Sequence, residues 1–370
     1  MSDQHDVECM AHALRLARQG RFTTRPNPNV GCVIVDAGGD LVAAEFHRRA
    51  GDAHAEILAL QKAGEKARGA TVYVSLEPCC HQGKTGPCTQ ALIAAEVKRV
   101  VVAMQDPNPQ VAGKGIEQLQ QHGIQVDCGV LTEQAQELNA GFVKRMQSGI
   151  PYVTVKSAIS IAGKTALHNG TSKWITDTAA RNDVQRLRAQ SDAVMTGIGT
   201  VLADDPSLNV RLTPEQLGLN EEVMQPARVV IDPQLQMPAQ SKMFSLPGQT
   251  IVFAGRQSAS QMQTNVTGGE VVLLEEQQGQ LDLRQVLQQL AQREINSVLV
   301  EAGSNLVGNL MAQNLVDEMI IYVAPKIFGS AAKGMAEIGA IDIMDEHISL
   351  EYKDVRRVGD DLKITALIKH

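Results

Sequence analysis

Apolar runs alternate with amphipathic stretches along the first 150 residues of the chain. A continuous apolar run such as 71–76 is typical of a buried strand, whereas the spacing of Met10, Leu14 and Ala17 predicts a helix. The pattern predicts strands over 30–35, 41–45, 71–76, 99–104 and 124–130. It predicts helices over 8–18, 55–63, 89–95 and 115–122. This alternation favours an α/β sandwich with a largely parallel sheet.

The pattern starts again after Gly149-Ile150-Pro151, so we expect two domains, 1–149 and 150–370. The second half has predicted strands over 152–159, 193–196, 228–231, 250–253, 270–274, 297–301 and 318–324. Its predicted helices cover 177–190 and 281–293, and another helix follows the strand 297–301. Two segments, 213–225 and 258–269, are predicted surface loops.

Composition and charge narrow the possible functions. Hydrophobic residues make up 44% and charged residues 20% of the chain, as in ordinary globular proteins. With 34 basic and 41 acidic residues the net charge is −7, which disfavours broad binding to nucleic acids or membranes. The first 20 residues carry several charges and lack an apolar signal core, and apolar runs of ~18 residues are absent. We therefore expect a cytoplasmic protein with reduced cysteines.

Candidate chemistry is concentrated in the stretch PCCHQGKTGPC, residues 78–88, and in His54-Ala55-Glu56 upstream of it. We predict that His54, Cys79 and Cys88 bind zinc, because a His/Cys/Cys set leaves the fourth position open for water. Zinc lowers the pKa of bound water to ~7, and Glu56 is placed to move protons without binding the metal. The order H-x-E, P-C and C is typical of zinc nucleobase deaminases.

Alternatives to this catalytic site remain open at this stage. The cysteines could form a disulfide, or Cys80 or His81 could complete a closed structural zinc site. Eight residues separate Cys79 from Cys88, more than in the C-x-x-C of nucleic-acid deaminases. The loop between them suits a phosphate or a polar ring edge, although its Lys84 could equally be a solvated charge. The remaining cysteines, Cys9, Cys32 and Cys128, are expected to be small buried hydrophobic residues.

In the second half, two glycine-containing turns follow predicted strands. Residues 197–200 (GIGT) and 301–308 (EAGSNLVG) each connect a strand to a helix, where a backbone can approach a pyrophosphate. Neither turn has the form G-x-G-x-x-G, so for each turn taken alone an ordinary strand-to-helix turn is the favoured explanation. Two such turns in one domain nevertheless favour a dinucleotide. Arg188 and Arg211 are candidate partners of a substrate phosphate.

Several motifs together resemble the bacterial bifunctional riboflavin-biosynthesis family RibD. In the first half they are PNPNVG at 26–31, HAE at 54–56, EPCCHQGKTGPC at 77–88 and DPNPQVAGKG at 106–115. In the second half they are SKWIT at 172–176, GIGTVLADDPSLNVR at 197–211 and EAGSNLVG at 301–308. The resemblance implies an N-terminal cytidine-deaminase-like three-layer α/β/α domain and a C-terminal dihydrofolate-reductase-like α/β domain.

The resemblance also implies the reactions and cofactors. A zinc-dependent deaminase would act on 2,5-diamino-6-ribosylamino-4(3H)-pyrimidinone 5′-phosphate, and a reductase would use NADPH to convert the ribosyl chain to ribityl. Residues matching the family's deaminase substrate site are Asn27, His47, His81, Lys84 and Thr85. Residues matching its reductase substrate site are Ser172, Arg188, Leu208, Arg211 and Glu301, with Lys156 near the hydride-transfer centre. Residues matching its NADPH site are Ala158, Trp174, Thr200, Asp204, Gly303, Ser304, Asn305 and Gly308.

The chain departs from the family pattern at one position. After the first reductase strand the family usually has S-x-D-G-K/R, whereas this chain has Ser160-Ile161-Ala162-Gly163-Lys164. Ala162 can neither accept a hydrogen bond through its side chain nor carry a proton. If the usual aspartate is needed for reduction, the second reaction would be slow.

The expected partners are a small pyrimidine nucleotide and further copies of the same chain, but neither nucleic acid nor membrane. Two other functions compete with the bifunctional enzyme. A nucleic-acid base deaminase is disfavoured by the acidic charge, by the long loop between the cysteines and by the low aromatic content of one Trp, four Tyr and six Phe. A zinc-stabilised module without turnover would keep its function when Glu56 is replaced.

Overall fold

The structure is a computed structural model that describes residues 4–81, 86–260 and 268–369. The chain divides into two compact units, Met1–Gly149 and Ile150–His370, which are described separately. Within the described residues, helices of the length and hydropathy needed to span a membrane are absent.

The first unit alternates helices and strands. Its α-helices in the described residues are α1 (Gln4–Ala17), α2 (Ala55–Ala63), α3 (Cys88–Ala94), α4 (Lys114–Gln121), α5 (Thr132–Leu138) and α6 (Ala140–Ser148). Its strands there are β1 (Gly31–Val35), β2 (Leu41–Phe46), β3 (Thr71–Val74), β4 (Arg99–Val102) and β5 (Gln125–Cys128). Two 3-10 helices, Arg18–Phe22 and Gly64–Ala67, follow α1 and α2.

The five strands form one sheet in the order β2-β1-β3-β4-β5. β3, β4 and β5 are parallel, but β1 is antiparallel to both of its neighbours. The prediction of a largely parallel sheet is therefore wrong for β1 and β2. The reason is the tight connection between them, where the Asp36 carboxylate accepts hydrogen bonds from the N–H groups of Gly38 and Asp40 at 2.9 and 3.0 Å. A short hairpin connection permits only antiparallel pairing.

Side chains on the two faces of this sheet enter separate cores. Cys32 and Ile34 of β1 pack in a cluster with residues of α2, α3 and α4, whereas Val33 and Val35 pack in a cluster with residues of α1, α5 and α6. This alternation follows from the two-residue period of a strand. The result is a three-layer α/β/α unit, in agreement with the predicted fold.

The second unit is built around a larger sheet. Its α-helices in the described residues are α7 (Thr178–Gln190), α8 (Ile198–Asp204), α9 (Pro214–Leu217), α10 (Arg256–Ser260), α11 (Leu283–Gln292) and α12 (Ser304–Ala312). Its longer strands there are β6 (Tyr152–Ser160), β8 (Ala193–Gly197), β9 (Ala227–Ile231), β10 (Thr250–Gly255), β11 (Glu270–Leu274), β14 (Ser297–Val300), β15 (Glu318–Ala324), β17 (Leu350–Val358) and β18 (Asp361–Ile368). Short strands are β7 (Lys164–Ala166), β12 (Glu276–Gln277), β13 (Gln280–Leu281) and β16 (Lys333–Gly334), and 3-10 helices cover Lys242–Ser245 and Met344–Glu346.

The nine longer strands form a sheet in the order β11-β10-β9-β8-β14-β6-β15-β18-β17. The strands from β11 to β15 are mutually parallel, and the hairpin β17–β18 adds two antiparallel strands. One face packs against α11 and α12, and the other against α7 and α8. The carboxyl ends of β8, β9 and β14 meet at one edge, where open α/β sheets commonly bind ligands.

The sequence pattern missed two features of this unit. No element was predicted after residue 324, yet β17 and β18 form a complete hairpin around Gly359, which has a φ of 63°. The predicted loop 213–225 contains the helical turn α9, which begins with a capping box between Thr213 and Gln216. The other predicted loop, 258–269, begins within α10, and its residues 261–267 lie outside the described part of the chain.

Candidate active sites

The first site lies where helices begin and a strand has ended. His54 is the N-cap residue of α2, with extended backbone angles of φ −70° and ψ 162°, and its side chain makes no capping hydrogen bond. Its imidazole is therefore available to other groups. Cys88 is the first residue of α3, and Cys79 follows β3 by five residues. Local chain geometry thus directs all three side chains to one place.

The three ligand atoms form a compact cluster. His54 Nδ1 lies 3.2 Å from Cys88 Sγ and 3.5 Å from Cys79 Sγ, and all ligand atoms lie within 4.8 Å of one another. A tetrahedral zinc with bonds of ~2.0 Å to nitrogen and ~2.3 Å to sulfur holds those atoms about 3.5 Å apart. The distances and the soft sulfur donors therefore fit zinc.

The groups around Cys79 stabilise its sulfur in the thiolate form. The N–H of Cys88, at the start of α3, donates to Cys79 Sγ at 3.4 Å. The Cys88 thiol and then the His54 ring lower the pKa of Cys79 to about 4, whereas the same shared hydrogen bond and burial raise the pKa of Cys88. Thiolate is the form of cysteine that binds metals, so this environment of Cys79 favours a divalent cation at the cluster.

Glu56 lies beside this cluster without belonging to it. It is the second residue of α2, its side chain is only 3% exposed, and its carboxylate interacts with the Cys88 thiol. Burial raises the pKa of Glu56, opposed by the nearby His54. A buried carboxyl group with a raised pKa next to a metal site can both accept and return a proton.

Asn27 and His47, two predicted substrate residues, are hydrogen-bonded to each other next to the cluster. Asn27 Nδ2 lies 3.0 Å from His47 Nε2, and His47 Nδ1 lies 3.2 Å from the carbonyl oxygen of Ala53. A carbonyl can only accept, so Nδ1 carries the proton and Nε2 accepts from Asn27. The His47 ring meets the His54 ring edge-on, with centroids 5.3 Å apart.

The alternatives for the cysteine-rich stretch can now be compared with the structure. All six cysteines are free thiols, so the disulfide is excluded. In the part of the chain that the structure describes, the metal-binding group consists of His54, Cys79 and Cys88, and the His81 side chain is exposed. Lys84 and Thr85 lie outside the described residues.

Of the other three cysteines, Cys32 is fully buried as expected and Cys9 is half-buried, but the prediction is wrong for Cys128, which is exposed on the edge strand β5.

The second site contains a buried group of charges. The forked edge of Arg188, on α7, binds Glu301 with Nε–Oε1 and Nη2–Oε2 distances of 2.5 and 3.0 Å, and both side chains are nearly buried. The third nitrogen of Arg188 donates to the carbonyl of Asn209 at 3.1 Å. Sequence analysis assigned this fork to a phosphate, but the structure directs it to Glu301.

Lys156 and Arg211 complete the charged group. Burial lowers the pKa of Lys156, with Glu301 opposing and Arg188 adding to the effect. Burial disfavours ionisation of Glu301, but Arg188 and then Lys156 outweigh it and lower the pKa of that carboxyl. Arg211 is close enough to interact with both Arg188 and Glu301. Three basic side chains therefore interact with one carboxylate, and this balance of groups suits an anionic substrate.

The two glycine-containing turns lie at the same sheet edge. Gly197 is the N-cap of α8 and Gly303 that of α12. A cavity of about 290 Å³ borders both helices, and its lining includes Ile198, Asn305 and Asn309. A Cβ at Gly308 would lie 1.9 Å from the carbonyl oxygen of Glu337, so this glycine lets α12 pack closely against the backbone of residue 337.

The remaining predicted residues of the second site are dispersed around this edge. Asp204 forms an ion pair with Lys173 at 2.8 Å, and Ser304 Oγ donates to Glu337 Oε1 at 2.6 Å. Trp174 is 66% exposed, with the Arg181 guanidinium 4.7 Å above its ring. Ala158 and Thr200 are half-buried on β6 and α8, and so is Ser172 in the loop before α7.

Leu208 is buried, with a left-handed φ of 48°. Such a conformation is uncommon for a branched residue and is retained mostly where surrounding structure requires it. Ala162 lies exposed in the turn between β6 and β7.

Sequence analysis missed some residues that organise these sites. Gln185 of α7 accepts the N–H of Arg211 at 2.9 Å, and Lys326 donates to the carbonyls of Trp174 and Ile175 at 2.9 and 2.6 Å. Glu77, the first residue of the motif EPCCHQGKTGPC, is almost fully buried. Its position directly before Pro78 and Cys79 was the one available signal.

Fold and site geometry together define a zinc-dependent deaminase joined to a nucleotide-dependent reductase. Residues 3–104 match the family described as the cytidine and deoxycytidylate deaminase zinc-binding region, and residues 151–364 match the RibD C-terminal domain. The chain belongs to the RibD family. It is accordingly a bifunctional deaminase and reductase of riboflavin biosynthesis that uses zinc and NADPH.

Individual relatives support this assignment over nearly the whole chain. The riboflavin biosynthesis protein RibD of Escherichia coli K12 is 47% identical over 96% of this chain and 98% of its own length. The RibD structure from Acinetobacter baumannii, in its form 1, has a TM-score of 0.89 at 43% identity, covering 99% of both chains. A Thermotoga maritima structure, described as a diaminohydroxyphosphoribosylaminopyrimidine deaminase/5-amino-6-(5-phosphoribosylamino)uracil reductase, has a TM-score of 0.86 at 32% identity over 99% of both. The predicted family is thus confirmed.

Proposed function

We propose that residues 1–149 deaminate 2,5-diamino-6-ribosylamino-4(3H)-pyrimidinone 5′-phosphate and that residues 150–370 reduce the ribosyl chain of the product to ribityl. The name of the Thermotoga maritima relative supports this pair of substrates. One observation carries the first step: His54, Cys79 and Cys88 place three ligand atoms within 4.8 Å of one another, beside the buried carboxyl group of Glu56.

In the first reaction the chain holds the metal and moves the proton. His54, Cys79 and Cys88 would hold zinc, which would lower the pKa of a bound water to ~7. Glu56 is placed to accept a proton from the attacking water through its carboxylate and to return it to the exocyclic amine of the ring. Oxygen then replaces the amine on the ring carbon, and ammonia leaves. Burial of Glu56 keeps bulk water away from this transfer.

Substrate recognition in the first unit involves the pair Asn27 and His47. Their mutual hydrogen bond fixes both rotamers, and the edge-on contact of His47 with His54 places the pair beside the metal ligands. We assign them to the polar edge of the pyrimidine. His81, Lys84 and Thr85 follow Cys79 in the chain, and we assign them to the ribosyl phosphate end.

In the second reaction the charged group binds and orients the substrate. NADPH supplies the hydride. Lys156 lies at the centre, with a pKa lowered by burial, and is suited to donate a proton to the oxygen formed from the reduced carbon. We assign Glu301, held in place by Arg188, to the substrate hydroxyl groups. We assign Arg211 to the substrate phosphate, because Arg188 is already paired with Glu301 and a guanidinium group binds phosphate well. Ser172 and the strained Leu208 complete the substrate side.

We assign NADPH to the sheet edge next to this group. The cavity of about 290 Å³ borders α12, a nine-residue helix whose N-terminus begins at Gly303. An N-terminus of this kind favours a pyrophosphate. Gly303, Ser304 and Asn305 therefore form the phosphate side, with Ala158, Trp174, Thr200 and Asp204 along the rest of the cofactor. Gly308 supports the helix without contact to the cofactor.

We further propose that the chain forms a homo-oligomer through its second unit and works in the cytoplasm. On the edge strand β17, Tyr352 is 70% exposed and Val355 is 57% exposed. Exposed apolar patches commonly mark protein contacts. Free thiols at the metal site are maintained in a reducing compartment.

Metal analysis combined with a two-stage assay tests the proposal. We expect one zinc per chain, ammonia release from the diaminopyrimidine nucleotide without NADPH, and NADPH oxidation only once that deaminated product is present. Zinc-loaded protein that releases no ammonia from this nucleotide would refute the assignment of the first unit. Ammonia release followed by no NADPH oxidation would refute that of the second.

A further inference from the structure

A buried carboxylate connects the metal-binding stretch to a neighbouring loop. Glu77 is 3% exposed and accepts hydrogen bonds from four backbone N–H groups. Its Oε1 accepts from Gly115 at 2.9 Å and Ile116 at 3.2 Å, and its Oε2 from Gly113 at 2.9 Å and Asp106 at 3.1 Å. All four donors belong to the segment 106–116, which contains the motif DPNPQVAGKG.

These hydrogen bonds give Glu77 the role of a helix cap supplied by another element. The N-cap of α4 is Gly113, which has no side chain to satisfy the first N–H groups of the helix. The Glu77 carboxylate, which follows β3, accepts hydrogen bonds from these N–H groups. Its negative charge therefore lies at the N-terminus of α4, the positive end of the helix dipole. An ionised carboxylate accepts four such bonds well, because each oxygen offers two acceptor sites.

The contact also fixes the chain on the way to Cys79. Glu77 N donates to the carbonyl of Met104 at 3.0 Å, and a Cβ at Gly115 would lie 2.2 Å from the carbonyl oxygen of Pro78. Proline restricts its own φ angle, so little freedom remains between Glu77 and Cys79. On the other side of Cys79, the N–H of Thr89 donates to the Cys79 carbonyl at 3.2 Å. The backbone of this ligand is therefore held from both sides.

We propose that Glu77 is a positioning residue for the metal centre: its carboxylate binds the 106–116 segment to the end of β3 and thereby sets the position of the ligand Cys79. The proposal rests on the assignment of His54, Cys79 and Cys88 as zinc ligands. Residues that orient metal ligands commonly change metal affinity by about 10–100-fold when replaced. Glu77 does not belong to the metal-binding group, so its effect on the metal would be transmitted through Cys79.

The variant Glu77→Gln tests this role in the full-length protein. The amide retains one acceptor oxygen but presents an NH₂ group to two of the four N–H donors. We expect zinc to bind about 10–100-fold more weakly in competition with a chromogenic chelator. The increase in melting temperature caused by zinc should shrink correspondingly, because ligand stabilisation follows the ratio of zinc concentration to Kd. Excess zinc should restore deamination.

Control variants separate this role from general stability and from the metal assignment itself. Glu117→Gln changes an exposed carboxylate of α4 and should leave zinc affinity unchanged. Wild-type zinc affinity in Glu77→Gln, or an equal fall in melting temperature with and without zinc, would overturn the proposal. If Glu77→Gln does not fold, Glu77→Asp, which keeps the charge and shortens the side chain, is judged by the same criteria. Undiminished zinc binding by His54→Ala would instead refute the ligand assignment, and the role of Glu77 with it.

Discussion

The two candidate sites are assembled in different ways. In the first unit, His54 and Cys88 are 34 positions apart, and each lies at the start of a helix that directs its side chain inward. In the second unit, Arg188 and Glu301 are 113 positions apart and meet only because the sheet brings α7 and β14 together. The first site can therefore be recognised in the sequence from the short spacing of its residues, whereas the residues of the second site come together only in the complete fold.

The two sites also differ in the charge that they are prepared to receive. The first combines two cysteine sulfurs with the carboxyl group of Glu56 and one imidazole, so a cation completes it. The second surrounds Glu301 with Lys156, Arg188 and Arg211, so an anion completes it. Substitutions in the first site should therefore affect chemistry and metal content, and those in the second should affect substrate affinity and folding.

The largest expected effect is that of Glu56→Gln. The amide cannot carry the proton, so ammonia release should fall by about 10²–10⁴-fold while zinc content stays at the wild-type level. Ammonia production is measured on the diaminopyrimidine nucleotide, and NADPH oxidation on its deaminated product serves as the control for the second unit. Normal deamination by this variant would refute the proton-transfer role assigned to Glu56.

Arg188→Met should destabilise the second unit. It leaves the Glu301 carboxylate nearly buried without its bidentate partner, and breaking a buried ion pair costs about 3–5 kcal/mol. The single tryptophan, Trp174, belongs to this unit and reports its unfolding by fluorescence in a denaturant titration. Arg186→Met, an exposed change on the same helix, should be nearly neutral; equal losses in both variants would contradict the role of the pair.

Arg211→Ala should weaken substrate binding in the second unit without preventing the reaction. Loss of a hydrogen bond to a charged group costs about 1.5–3 kcal/mol, which corresponds to a rise in KM of about 10–150-fold with little change in kcat. The measurement is NADPH oxidation as a function of substrate concentration. The same substrate without its phosphate should show no difference between variant and wild type, and a difference there would exclude Arg211 as the phosphate ligand.

The smallest expected effect is that of Ala162→Asp, which restores the usual family residue. Ala162 is exposed in the turn between β6 and β7, and exposed substitutions usually change the free energy of unfolding by less than about 0.5 kcal/mol, so the variant should fold as stably as wild type. With folding unchanged, we expect the reduction rates of variant and wild type to agree within a factor of about two. A much faster variant would show that the aspartate takes part in the second reaction.

Much of the fold could be predicted from the sequence, because the spacing of apolar residues and the residues typical of turns can be read from short stretches of the chain. The strands β3, β4 and β14 and the helix α2 lie where the apolar pattern placed them, and the expected fold of both units is confirmed. The antiparallel pairing of β1 was missed because strand direction depends on the connection. The hairpin β17–β18 was missed because β17 is exposed in all but its last residue, so its sequence shows no buried apolar face.

The sites were predictable to different extents for the same reason. The metal-binding group follows from residue types and spacing, since few arrangements bring a histidine and two cysteines to helix starts so close in the chain. The pairing of Arg188 with Glu301 has no sequence signal, because either residue alone resembles a surface charge. The hydrogen bonds between Glu77 and four backbone N–H groups could not be predicted either, because the pattern of side chains in a sequence does not indicate which backbone donors meet a given carboxylate.

The contact between Gly308 and the backbone of residue 337 has a practical consequence for redesign. A library intended to change nucleotide preference would ordinarily include every position of a glycine-containing strand-to-helix turn. At position 308 any added carbon would meet a carbonyl oxygen at 1.9 Å, so we expect substitutions there to destabilise the fold and to obscure any change in selectivity. Diversity is better directed to Asn305 and Asn309, whose side chains border the open cavity.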